Sequence, residues 1–307
     1  MKTRYGKVVI LLCVITIVSL GITAVFGVKA PEKTDELSVM ASFYPLYTAA
    51  LNVVGTCEGV TVSCLTRPQA GCLHDYQLSP AERAALDEAD VLLQNGAGME
   101  SFLGPALESL SGLTVIDTSA GLELLTCEAH EHGHDHHHSV NAHLWVDPAL
   151  YAEQVKRVRD GLCAVDSAHA AEYTANAEAY LQKIAAVEQQ LNEISLPHTH
   201  ALLFHESVAY AAKALQLETV GIVPLGENEA ASAGDLAEIA DALKGKAVLL
   251  LYDTQYTALY ESLAQYADKA AIVHWDTAVQ PINGVAAKDA WLVAMRQNIN
   301  ALKGAAA

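Results

Sequence analysis

From Ala168 to Ile194, the residues Tyr173, Ala177, Tyr180, Ile184, Val187, Leu191 and Ile194 alternate spacings of four and three. That period lines them along one face of an α-helix. The 27 residues of this span would reach about 40 Å, roughly the width of a domain. Leu196-Pro197 ends it, since proline breaks a helix and biases the residue before it towards extended backbone. The sequence on either side of it reads as two halves.

Each half carries the same alternation of short apolar runs and helix-period segments, the pattern of an α/β fold with mostly parallel sheets. Strands are expected at residues 37–42, 60–65, 90–94 and 113–117, then at 200–204, 219–223, 247–252 and 270–275. A helix fits Pro45 to Val54 between the first two. Ser79-Pro80-Ala81-Glu82 reads as a capping box with proline at the first helical position, and Asp147-Pro148 as a further helix start. A last helix is expected from about Ala286 to Leu302. The expectation is two similar lobes, residues 36–165 and 198–304, each a four-stranded mainly parallel sheet with flanking helices. One rigid helix over 168–195 joins them.

Residues 1–30 stand apart. Lys2, Arg4 and Lys7 precede an apolar run from Val8 to Val28, and Val28-Lys29-Ala30 offers small residues for a signal peptidase. About 20 apolar residues also suffice to span a bilayer, so the segment reads as a signal peptide or an uncleaved anchor. Either way the protein is expected to be exported, at the cell surface or on the extracytoplasmic face of the membrane. Without this segment, 14 basic residues face 36 acidic ones, which excludes nucleic acid as a partner and suits cations. Five cysteines remain, and an exported protein permits a disulfide. Cys72 and Cys127 are a candidate pair because both flank histidine-bearing loops, although spacing fixes no connectivity.

Seven of the 13 histidines fall between Cys127 and Pro148. His130, His132, His134, His136, His137 and His138 form one run, and His143 stands alone after it. Neutral imidazole is the commonest ligand for zinc and similar metals, and a dense run in a polar context points to metal. In open α/β sheets, ligands bind beyond the carboxyl ends of the strands. Four metal-competent residues occupy such positions: His74 and His143 in the first half, His205 and Asp276 in the second. Any one of them could merely hydrogen-bond its own backbone or cap a turn. Together, three imidazoles and a carboxylate make a tetrahedral set for zinc, two from each wall of a cleft.

These residues sit in segments that resemble the zinc and manganese receptors of bacterial ABC importers, the TroA/ZnuA-like substrate-binding proteins. The segments are Ser42-Phe43-Tyr44-Pro45-Leu46, His74-Asp75-Tyr76-Gln77-Leu78-Ser79-Pro80, Asn95-Gly96-Ala97-Gly98-Met99-Glu100, His143-Leu144-Trp145-Val146-Asp147-Pro148, Tyr173-Thr174-Ala175-Asn176-Ala177-Glu178-Ala179-Tyr180, His205-Glu206-Ser207 and Trp275-Asp276-Thr277. The resemblance implies metal held between two lobes by His74, His143, His205 and Asp276. It also implies a monomeric receptor that delivers the metal to a membrane permease driven by an ATPase. Imidazole at the third position suits zinc, whereas manganese-preferring relatives tend to place a carboxylate there. The histidine-rich loop likewise resembles zinc-selective members, where His130 to His138 would collect or sense zinc as an accessory. The chain lacks the lipid-anchoring cysteine common in relatives from single-membrane bacteria.

Capture rather than catalysis is expected, because four protein ligands leave no position for an activated water. His205-Glu206 begins like the helical zinc-protease motif, but the residue four after His205 is Ala209, so that motif fails. A manganese or dual-metal receptor, or an extracellular zinc buffer or adhesin with no transporter, would share the same site. Affinity should fall as pH drops through about 6 to 6.5, where imidazole protonates.

Overall fold

The computed structural model describes residues 36–67, 73, 76–126, 140–223, 231–255 and 261–306. His74, Cys72, Cys127, the run from His130 to His138 and residues 1–30 lie outside them. Strands β1 (Leu37–Ala41), β2 (Val60–Cys64), β3 (Val91–Gln94) and β4 (Thr114–Asp117) form one sheet in the order β2-β1-β3-β4. Strands β5 (His200–Phe204), β6 (Glu218–Ile222), β7 (Ala247–Asp253) and β8 (Lys269–Trp275) repeat that order as β6-β5-β7-β8. Every pairing is parallel. The two-lobed α/β architecture read from the sequence is the one observed, with strand ends displaced by a residue or so.

Burial explains why the central strands read as unbroken apolar runs. Parallel strands covered on both faces lack the polar alternation of a half-exposed sheet. In β1 and β3, Val39, Ala41, Val91 and Leu93 face the main core, while Met40 and Leu92 face a smaller cluster with Leu86. In β5 and β7, Ala201, Leu203, Leu249 and Leu251 face that same main core, and Leu202, Phe204, Val248 and Leu250 face a third cluster with Leu243. One core therefore runs through both lobes, and Leu37–Ala307 form one compact unit.

Local signals fix the helices. The first, α1 (Tyr44–Val54), has proline in its first turn and ends at Gly55, φ 62°. A Cβ on Gly55 would lie 2.5 Å from Asn176 Nδ2, the atom that donates to the terminal carbonyls of Val53 and Val54 at 3.1 and 3.3 Å. The capping box opens α2 (Pro80–Asp87): Ser79 Oγ accepts from Glu82 N–H, and Glu82 Oε2 accepts from Ser79 N–H. After α3 (Gly104–Leu107) comes α4 (Pro148–Val165), capped by Asp147 Oδ1, which accepts from the N–H groups of Ala149 and Leu150.

The joining helix α5 (Ala170–Asn192) buries Tyr173, Ala177, Tyr180, Ile184, Val187 and Leu191, the expected stripe. It starts later than the periodicity suggests, after a 3₁₀ turn over Ser167–His169. Asp166 is the cause: its carboxylate pairs with His169 Nδ1 at 2.6 Å and accepts from Tyr173 OH at 2.8 Å, tightening the turn before α5. In the second lobe follow α6 (Ala209–Ala214), α7 (Ala233–Leu243) and α8 (Ala290–Ala306).

Contacts tie α1 and α4 of the first lobe to the end of the chain. Thr48 Oγ1 and Asn52 Nδ2 donate to the carbonyls of Ala287 and Lys288. Tyr151 of α4 stacks on Trp291 of α8 with ring centroids 4.3 Å apart. Among the described residues, no helix is long and apolar enough to cross a membrane.

Candidate metal centre

His143 closes the segment that leads into α4. The turn Leu144–Val146 is 3₁₀ and is followed at once by the Asp147 cap, so the start of the helix sets where the histidine stands. Its ring is buried, and Nδ1 lies 3.0 Å from Asn141 Oδ1, which also accepts the His143 backbone N–H at 2.9 Å. Asn141 reaches the other lobe as well, its Nδ2 donating to the carbonyl of Glu206 at 2.8 Å. Tyr210 OH, on α6, donates to the Asn141 carbonyl at 2.8 Å and accepts from Leu125 N–H at 2.9 Å.

His205 follows β5 directly. Its backbone, φ 141° and ψ 149°, occupies a region essentially reserved for glycine. Its Nδ1 accepts from Ser207 N–H at 3.1 Å and so caps the turn Glu206–Val208. The His143 and His205 rings meet edge to face, centroids 5.7 Å apart. Zinc–nitrogen bonds of about 2.0–2.1 Å would place two ligating rings about 5–6 Å apart, centroid to centroid. The structure thus brings together one imidazole from each lobe at a separation that suits a shared ion.

Asp276 follows β8 directly, its backbone held on both sides by Asn298 of α8, whose amide accepts from Asp276 N–H at 2.8 Å and donates to Asp276 O at 2.9 Å. Oδ1 accepts from Ala278 N–H at 2.8 Å, and burial holds the carboxyl above its usual range. The loop is pinned to the His143 segment by Trp145, whose Nε1 donates to Thr277 O at 2.8 Å. The carbonyl of Trp145 in turn accepts from Trp291 Nε1 at 3.0 Å. Among the described residues, no three histidine, cysteine or carboxylate side chains stand close enough to hold an ion. His143 and His205 are brought together, Asp276 sits in the adjoining loop, and His74 lies outside the described residues.

Beneath the two second-lobe loops lies a residue that motif reading missed. Asp253, fully buried at the end of β7, accepts from Ser207 Oγ at 2.6 Å, from Thr277 Oγ1 at 3.3 Å and from Gln255 N–H at 2.9 Å. It binds the loop after His205 to the loop after Asp276. Burial raises its pKa, opposed by those three donors. The first lobe repeats the device with Glu100, which accepts from Ser42 Oγ at 2.6 Å, Asn95 N–H at 2.7 Å and Gly96 N–H at 3.1 Å. Its burial pushes the carboxyl up to about 7. Gly96 is required there: a Cβ would fall 2.1 Å from Asp117 Oδ1. Asn95 carries the frame to the site, Nδ2 donating to the Ala142 carbonyl at 2.9 Å beside His143.

The chain is 28% identical to the manganese-binding lipoprotein MntA of Halalkalibacterium halodurans over 217 residues, 69% of each protein. It is 25% identical to the zinc-binding lipoprotein AdcA of Streptococcus pneumoniae over 290 residues, covering 89% of this chain but only 56% of that relative's length. A crystal structure of ZnuA superposes with a TM-score of 0.70 at 23% identity, over 89% of this chain and 100% of the other. The family described as "Zinc-uptake complex component A periplasmic" matches residues 39–305. That match spans both lobes and the helix between them, and the chain belongs to this family.

Proposed function

We propose that the protein is an extracytoplasmic receptor that captures Zn²⁺ between its lobes and delivers it to an ABC-type permease with its cytoplasmic ATPase. The observation that carries this reading is the meeting of His143 and His205, drawn from opposite lobes to 5.7 Å between ring centroids. His74 and Asp276 complete the ligand set. Residues 1–30 direct export, and His130 to His138 hold further zinc at lower affinity beside the main site. Four protein ligands suit retention rather than hydrolysis. Similarity to a protein named as manganese-binding favours a second reading, a manganese or dual-metal receptor. Three imidazoles weigh against it, since manganese prefers oxygen donors.

Metal titration of the purified protein tests both. One tight zinc equivalent is expected, weakened by orders of magnitude in His74→Ala, His143→Ala and His205→Ala, with manganese displaced by equimolar zinc. Full affinity in all three variants would sink the site. Equal competition would favour the dual-metal reading. Loss of zinc uptake in a deletion strain separates a transporter receptor from a free-standing buffer.

A further inference from the structure

We infer that Asn141 is a positioning residue that fixes the tautomer of His143, so that Nε2 presents a lone pair to the incoming metal. The inference rests on the receptor reading above and adds to it a residue outside the ligand set.

The orientation of the Asn141 amide follows from two partners whose roles are fixed. Its Nδ2 faces the Glu206 carbonyl, which can only accept, and its Oδ1 faces the His143 backbone N–H, which can only donate. The atom 3.0 Å from His143 Nδ1 is therefore the oxygen, and Nδ1 must carry the proton. A neutral imidazole has one N–H, so Nε2 is the lone-pair nitrogen. Both residues are nearly inaccessible, Asn141 at 3% and His143 at 5% exposure, which leaves little room for water to replace the acceptor. Glu206 Oε1, at 4.0 Å from Nδ1, is beyond hydrogen-bonding reach. The Tyr210 hydroxyl braces the asparagine backbone, so Asn141 is held independently of the ring it directs.

His205 provides the contrast. Ser207 N–H can only donate, so Nδ1 of His205 holds the lone pair and the neutral ring carries its proton on Nε2. The two imidazoles therefore stand in opposite tautomers. A ligating histidine normally donates its other ring N–H to a fixed acceptor, and losing that acceptor weakens metal binding about 10–100-fold. His143 meets this requirement before metal arrives. His205 does so only after giving up its bond to Ser207. Asn141 thereby makes His143 the preorganised half of the pair.

The test uses the full chain, stripped of metal, at pH 8 where imidazole is neutral, with zinc alone as the probe. Nitrogen-15 spectra of histidine-labelled protein, assigned with His143→Ala, should show His143 protonated on Nδ1. Asn141→Ala should shift that proton towards Nε2 and weaken zinc binding about 10–100-fold. Asn141→Asp keeps the acceptor oxygen but loses the donor to Glu206, and should restore both the tautomer and the affinity to within a few-fold. The inference is overturned if wild-type His143 is protonated on Nε2, or if Asn141→Ala binds zinc like wild type. It also fails if folded Asn141→Asp is as weak as Asn141→Ala, which would make the clasp to Glu206 the active contact. Undiminished affinity in His143→Ala would instead remove the receptor site itself.

Discussion

Replacing His205 by glycine and, separately, by alanine isolates the strain at the second-lobe candidate ligand. Both variants lose the imidazole, its contact with His143 and the cap to Ser207, so those losses cancel between them. They differ in the Cβ that makes φ 141°, ψ 149° unfavourable. Holding a non-glycine residue there costs about 1–3 kcal/mol. Glycine's greater freedom in the unfolded chain returns about 0.5–1 kcal/mol of that. The glycine variant should therefore be more stable than the alanine variant by about 1 kcal/mol, the reverse of the usual order. Urea unfolding of the metal-free proteins reads this as a higher midpoint at unchanged slope. Neither variant should bind zinc tightly. Equal stability, or alanine the more stable, would mean that the His205 backbone relaxes without strain and that the candidate ligand is not held under tension.

Other expectations follow from buried groups and from the histidine run. His198 is 3% exposed with neither ring nitrogen hydrogen-bonded, and burial, then the Lys269 charge, depresses its pKa below 6.5. Its contribution is present above pH 6.5 and lost on acidification, so His198→Leu should flatten the fall in unfolding free energy between pH 6.5 and 5; an unchanged slope would refute this. Glu100 behaves oppositely: raised from 4.5 to about 7, it contributes stability that is full below pH 4.5 and gone above about pH 7. Glu100→Gln should remove that dependence from melts taken between pH 4.5 and 8. Deleting residues 130–138 should abolish only weak zinc equivalents in a titration, and loss of the tight one would reverse the proposed roles of run and site.

Much of the scaffold is legible in the chain because its signals are local. Doubly covered strands such as Ala247–Asp253 appear as apolar runs, and the Ser79 and Asp147 caps announce helices within three residues. The late start of α5 was not legible, since it depends on Asp166 choosing His169 and Tyr173 as partners. The strand-end rule places His205 and Asp276 where the structure has them, directly after β5 and β8. It is silent on Asn141, whose partner 65 residues away belongs to the other lobe, and on Asp253, whose partner 46 residues away meets it only once the second sheet has formed. Their sole signal in sequence was an amide two residues before His143 and an acid at the end of a strand, neither distinctive alone.

The core that passes unbroken from one lobe to the other bears on how fast a bound ion could leave. Parting the lobes would strip Trp291 from Tyr151 and Trp145, and Trp145 from the Thr277 loop. Three buried aromatic side chains represent on the order of 10 kcal/mol of apolar burial, comparable with the whole stability of an ordinary domain, about 5–15 kcal/mol. Wide opening would expose part of that surface and is therefore opposed by several kcal/mol, an upper estimate from area alone being about 10 kcal/mol. A metal site built on this body would be a fixed socket rather than a trap, its exchange rate set by the short loops that carry the candidate ligands His143, His205 and Asp276. A permease that empties it would act on those loops and could leave the body of the protein undisturbed.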